Sequence, residues 1–270
     1  MSQFYMHHER RAEYIVKELT DSHCHLDFAD FNTDLIAVLN RARDKGVQHF
    51  LVPGIGAHNW QAVLALANQH DGVYPALGIH PYFLADFDIS HLQLLDEYLA
   101  TEQDIVAVGE FGLDKAVDFP FEQQLQICKQ QLLLAKQYDL PVILHCRKAH
   151  NELIQLLQQA KLPRGGVIHG FSGSSQLGMQ YIKLGFKLGI GGVITYPRAA
   201  KTRQAVSELP LSSLLLETDS PDMPISGYQG RRNEPENIAK VLQTLIELRQ
   251  EPAELIAKTN LRTFTELFLS

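Results

Sequence analysis

Six side chains of the types that hold divalent cations stand at the ends of apolar runs in this sequence: His23, His25, Glu110, His145, His169 and Asp219. His23 and His25 are two residues apart, and the two-residue period of a strand sends both imidazoles to one face, where they can grip one cation. His145 follows Pro141-Val142-Ile143-Leu144 and His169 follows Val167-Ile168, so each emerges from an inner strand. Glu110 and Asp219 close the apolar runs Ile105–Val108 and Leu214–Leu216, and burying such carboxylates unpaired is costly. A cation removes that cost. Four neutral imidazoles and two carboxylates are too many ligands for one tetrahedral ion and suit two divalent cations that share a bridge. The rival reading, six unrelated polar residues each satisfied by backbone groups, demands a coincidence at five strand ends.

A water held between two cations has a much lowered pKa and is a nucleophile near neutral pH, with Asp219 the expected general base beside it. The histidine-rich donor set suits Zn, Mn, Fe, Co or Ni better than Mg, which prefers oxygen. An anionic substrate also needs donors outside the metal sphere, and His80, Arg147 and Arg232 are the candidate substrate contacts. Glu217 shares a face with Asp219 and is expected one layer below it, as a support for the site or as a paired buried carboxylate. Cys24 and Cys146 each neighbour a candidate ligand, so alternation turns them away as packing residues. The glycine-rich stretches contain neither a G-x-x-x-x-G-K-[ST] loop nor a G-x-G-x-x-G turn, and no G-x-S-x-G elbow occurs.

The elements that must position these residues are legible as apolar runs alternating with stretches of helical period. Strands are expected at Leu19–His25, Val47–Pro53, Val73–His80, Ile105–Glu110, Pro141–Cys146, Gly166–Gly170, Phe186–Ile190 and Leu214–Asp219. Helical periodicity marks Thr33–Lys45, His58–His70, Phe121–Tyr138 and Glu152–Lys161. Eight strand-helix units at this length predict an α/β fold of the (β/α)8 TIM-barrel type rather than a doubly wound sheet. In such a barrel the chemistry sits at the C-terminal mouth, where the six candidate ligands fall. Residues 1–18 read as a peripheral N-terminal extension and 19–270 as one barrel domain.

The totals restrict the function further. The 270 residues carry 24 Lys and Arg against 31 Asp and Glu, a net charge of −7, which excludes a surface coated for nucleic-acid binding and confines any such contact to a local patch. Cys24, Cys128 and Cys146 form no C-x-x-C pair and no even framework, as expected in a reducing compartment. No apolar run approaches the roughly 20 residues of a bilayer span, and the polar start has no signal-peptide core, so no membrane association is expected and the chain reads as cytoplasmic.

The assembled motifs resemble the TatD family of metal-dependent deoxyribonucleases, and within it the YjjV subgroup. They are Asp21-Ser22-His23-Cys24-His25-Leu26-Asp27, Gly78-Ile79-His80-Pro81, Val108-Gly109-Glu110-Phe111-Gly112-Leu113-Asp114, Pro141–Arg147, Ile168-His169-Gly170-Phe171-Ser172-Gly173, Glu217-Thr218-Asp219-Ser220-Pro221 and Arg232-Asn233-Glu234-Pro235. The resemblance spans residues 19–268. It implies an amidohydrolase-like barrel with His23, His25 and Asp219 on one metal, His145 and His169 on the other, and Glu110 bridging. It also implies DNA ends or single-stranded DNA as substrate. A small-molecule amide, ester or lactone hydrolase stays open beside it, because the same ligands activate water for either bond. So does a catalytically silent metal-binding protein, against which the intact Asp219 argues.

Overall fold

The structure, a computed structural model, describes residues 18–270, and the expected extension over residues 1–18 lies outside these except for Glu18. Eight parallel strands form one sheet in sequence order: β1 Leu19–Asp21, β2 Val47–Pro53, β3 Val73–Leu77, β4 Ala107–Asp114, β5 Val142–Arg147, β6 Gly166–Ile168, β7 Phe186–Ile190 and β8 Leu214–Leu216. The helices between and after them are α1 Leu35–Asp44, α2 Trp60–Gln69, α3 Ile89–Thr101, α4 Phe121–Gln137, α5 His150–Ala160, α6 Ser175–Lys183, α7 Ala200–Glu208, α8 Ile238–Leu248 and α9 Ala253–Phe268. This is the expected (β/α)8 barrel. Just beyond the strands its seam is joined by Ser22 N–H to Leu216 O (2.9 Å), Asp219 N–H to His23 O (2.8 Å) and His25 N–H to Ser220 O (2.7 Å).

Strand alternation divides the core in two. Leu51, Ala76, Ala107, Ile143, Val167 and Leu215, from six strands, fall in one buried cluster with Phe264, Leu267 and Phe268 of α9. Side chains from so many strands meet only inside the barrel, so α9 closes its floor. Their neighbours Phe50, Val52, Val142, Leu144, Leu214 and Leu216 join the larger cluster formed with the surrounding helices. Two residues further along the inner faces of β5, β6 and β8 stand His145, His169 and Glu217, so the period that fills the floor also places polar groups above it.

Strand boundaries differ from expectation in two ways that bear on the site. The first and eighth strands stop before His23 and Asp219, where the backbone bonds across the seam, and the sixth stops before His169, where the chain turns at Gly170; Gly170 and Asp219 stand at φ of +59° and +58°. The fourth strand runs past Glu110 to Asp114. Its pairing with β5 shifts register between Val108 and Phe111 and then resumes, Gly112 opposite His145 and Asp114 opposite Arg147. A bulge of this kind re-aims one side chain without ending the strand, and Glu110 is the residue it re-aims. Gly112 is demanded at φ +155°, since a Cβ there would lie 1.9 Å from His145 O. Among the described residues no helix is long and apolar enough to cross a membrane.

Candidate metal centre

All six candidate ligands converge on the mouth, around the buried carboxylate of Glu110. Its Oε2 lies 3.2 Å from His23 Nε2 and 3.6 Å from His25 Nε2. Its Oε1 lies 2.7 Å from His169 Nε2, 3.3 Å from His145 Nδ1 and 3.2 Å from His80 Nε2. Asp219 Oδ1 is 3.5 Å from His23 Nε2 and 3.6 Å from His25 Nε2, and the two Nε2 atoms are 3.2 Å apart. Donor atoms around one tetrahedral ion with bonds of about 2.1 Å are separated by about 3.4 Å. Five of the six separations among His23, His25, Glu110 and Asp219 lie between 3.2 and 3.6 Å, so this donor set fits a divalent cation. The donors on the Oε1 side are similarly spaced, with His145 Nδ1 3.3 Å from His169 Nε2.

Buried side chains hold these donors in place. Asp114 Oδ2 accepts from His145 Nε2 at 3.0 Å, and its Oδ1 accepts the Ala116 N–H at 2.7 Å. The proton of His145 therefore sits on Nε2, and the bare Nδ1 faces Glu110, the carboxylate-histidine arrangement that fixes metal-ligand tautomers. Asp21 ties the two sides of the seam through His23 N–H, Thr218 N–H and the Thr218 hydroxyl. Glu217 accepts the Gly170 N–H at 2.5 Å and occupies space that a side chain at position 189 would claim, since a Cβ on Gly189 would lie 2.0 Å from its Oε2. Asp114 and Asp21 are the supports that spacing did not identify. Asp114 falls beyond the bulge, and Asp21 shows its partner only once the seam is closed.

Charge follows burial and proximity. Burial pushes the pKa of His23 down to about 3 and of His25 to about 4, leaving both imidazoles neutral with lone pairs to give. Burial raises Asp219 to about 7 and Glu217 to about 8. For Glu110 burial works upward, yet the surrounding imidazoles, His169 foremost, hold it well below the usual range. Burial opposes charge on His169, but Glu110 and Asp219 outweigh it and lift that imidazole to about 10. The carboxylates thus demand positive charge where the cations would lie.

Above the cluster opens a cavity of about 590 Å³ whose walls include Phe28, His80, Tyr82, Phe83, Arg147, Lys148 and Phe171. Two of the three expected substrate contacts stand in it. Arg147 donates from Nη1 to the Tyr82 hydroxyl at 3.1 Å, and His80 lies deeper, against Glu110. Arg232 is elsewhere: its guanidinium makes a two-pronged bond to Asp34, a further bond to Glu234, and covers the Phe31 ring. It locks the segment after β8 to the start of α1 and is not a cavity residue. Cys24 is buried as a packing residue with Sγ toward Leu51 O, and Cys146 packs against the core with its Sγ accepting from the Tyr181 hydroxyl at 3.8 Å, while also bordering the cavity at the half-exposed end of β5. A hollow of about 540 Å³ at the other end of the barrel, bordered by Gly72, Pro75, Pro141 and Arg164, contains none of the clusters of three donor side chains, found among the described residues, that could share a metal ion.

Known proteins share this arrangement of elements. The family model described as TatD related DNase matches residues 20–269. YjjV of Escherichia coli K12, described as an uncharacterized metal-dependent hydrolase, is 50% identical over 250 residues, which is 92% of this chain and 96% of that protein. An uncharacterized metal-dependent hydrolase of Haemophilus influenzae is 38% identical over 257 residues, 92% of this chain and 98% of its own. The crystal structure of the Escherichia coli YjjV protein superposes with a TM-score of 0.91 at 49% identity, covering 93% of this chain and 98% of that one.

Proposed function

This chain belongs to the TatD-related DNase family, and from that membership we propose that it is a metal-dependent hydrolase that cleaves phosphodiester bonds of DNA with two divalent cations. The observation that carries this reading is the position of Glu110, one oxygen toward His23 and His25 and the other toward His145 and His169. His23, His25 and Asp219 would hold one cation, His145 and His169 the other, with Glu110 between them. Bound there, the cations supply a nucleophilic water at neutral pH and neutralise charge on the phosphoryl group.

The protein's own groups do the rest. Asp219, beside His23 and His25 at the mouth, takes the proton of the attacking water and returns it to the leaving oxygen. Arg147, steadied by the Tyr82 hydroxyl, offers a cation to a phosphate at the mouth. Glu217 holds the turn at Gly170 that carries His169. The donors are recessed, Glu110 being 2% exposed, so a phosphate reaches them only on a strand that can enter the cavity, which favours single-stranded DNA or a DNA end over continuous duplex.

End-labelled single-stranded DNA and a panel of esters and lactones, each incubated with metal-loaded protein and with its Asp219→Asn variant, tests the reading. Loss of labelled DNA that depends on Asp219 is the expected result. Intact DNA beside a cleaved ester would assign the site to small molecules instead.

A further inference from the structure

His80 and His145 both turn a ring nitrogen toward Glu110 Oε1, at 3.2 and 3.3 Å, and both could be taken for metal ligands. Their other nitrogens tell them apart. His145 gives its Nε2 proton to Asp114, so Nδ1 is a lone pair. His80 Nδ1 instead accepts the backbone N–H of Tyr82 at 3.1 Å. A backbone N–H can only donate, so Nδ1 of His80 holds the lone pair and the ring proton is on Nε2. Flipping the ring would set a carbon against that N–H, so the hydrogen bond fixes the orientation too. A nitrogen that carries a proton has no lone pair for a cation.

The proton on Nε2 is also unspent. Glu110 Oε1 has no aligned hydrogen-bond partner, so the 3.2 Å approach of His80 is a proximity rather than a hydrogen bond. His80 is 6% exposed, and what exposure it has faces the cavity. Tyr82 unites two donors there, because its backbone pins His80 while its hydroxyl meets Arg147. We infer that His80 is not a metal ligand but a fixed hydrogen-bond donor, which binds a phosphoryl oxygen of the substrate through Nε2–H beside Arg147. This rests on the proposal that an anionic phosphoryl group enters the cavity, and it identifies the group that recognises it.

Zinc-loaded wild type, His80→Ala and His80→Gln test it, with inorganic phosphate as the probe. Elemental analysis should find the same zinc content in all three. Calorimetry should show phosphate binding weakened roughly 10- to 100-fold in His80→Ala, the range for a hydrogen bond to a charged group. His80→Gln, which restores a side-chain N–H near the position of Nε2, should recover most of it. In wild type labelled with 15N-histidine, the His80 ring should show its proton on Nε2, a readout that needs no variant to fold. One zinc fewer in His80→Ala, unchanged phosphate affinity, or a metal-bound Nε2 would overturn the assignment. Should wild type leave DNA intact while His80→Ala still loses phosphate, the nuclease reading fails and the role of His80 stands.

Discussion

At the scale of single residues, the site works by deciding which atoms carry protons. Asp114 does this for His145 through the 3.0 Å bond to Nε2, and Asp114→Asn, which can present an N–H to that nitrogen, removes the preference. Metal affinity measured by calorimetry is expected to fall about 10- to 100-fold, the usual effect of losing such a partner. Asp219→Asn should lower kcat by about 10²- to 10⁴-fold, as loss of a general base does, with the melting temperature as the check that the fold persists. The lifted pKa of His169, about 10, means that without metal this imidazole keeps its proton at pH 7. A divalent cation must displace it, so metal binding releases protons and tightens as pH rises toward that value. Calorimetry in buffers of differing ionisation enthalpy reads the release directly, and binding without proton release at pH 7 would contradict the assignment.

At the scale of elements, β4 is where the site is made. The register shift at Gly109 and Glu110 aims one carboxylate at every imidazole of the cluster, and Gly112 lets the strand resume beside β5. Gly112→Ala forces a Cβ against the His145 carbonyl. It is expected to destabilise the protein by about 2–4 kcal/mol, seen as a fall in melting temperature together with lost metal binding through displaced His145. Wild-type stability and metal content in that variant would show the backbone approach to be looser than described. This element also marks the boundary of what periodicity can reveal. His23, His25, Glu110, His145, His169 and Asp219 were legible because each ends an apolar run, and the mouth of a barrel collects such ends. Asp114 was not, because a bulge shifts side chains relative to a simple two-residue period. The place of Arg232 outside the cavity depends on Asp34, 198 residues away in sequence, folding against it, a pairing that its own neighbours in sequence do not announce.

At the scale of the whole molecule, floor and mouth are separate tasks laid on the same eight strands. Phe264 of α9 is fully buried against the inner faces of the strands, and Phe264→Ala is expected to cost about 3–5 kcal/mol while leaving metal stoichiometry unchanged, because the layer of Ile143, Val167 and Leu215 lies between it and the donors. Thermal melting with parallel elemental analysis checks both parts. The central claim concerns the mouth: that Glu110 stands between two cations rather than serving one. Anomalous diffraction from crystals of manganese-loaded protein tests it most directly. Two peaks are predicted, one beside His23, His25 and Asp219 and the other beside His145 and His169, with Glu110 in contact with both. A single peak, or a pair of which Glu110 touches only one, would contradict the account.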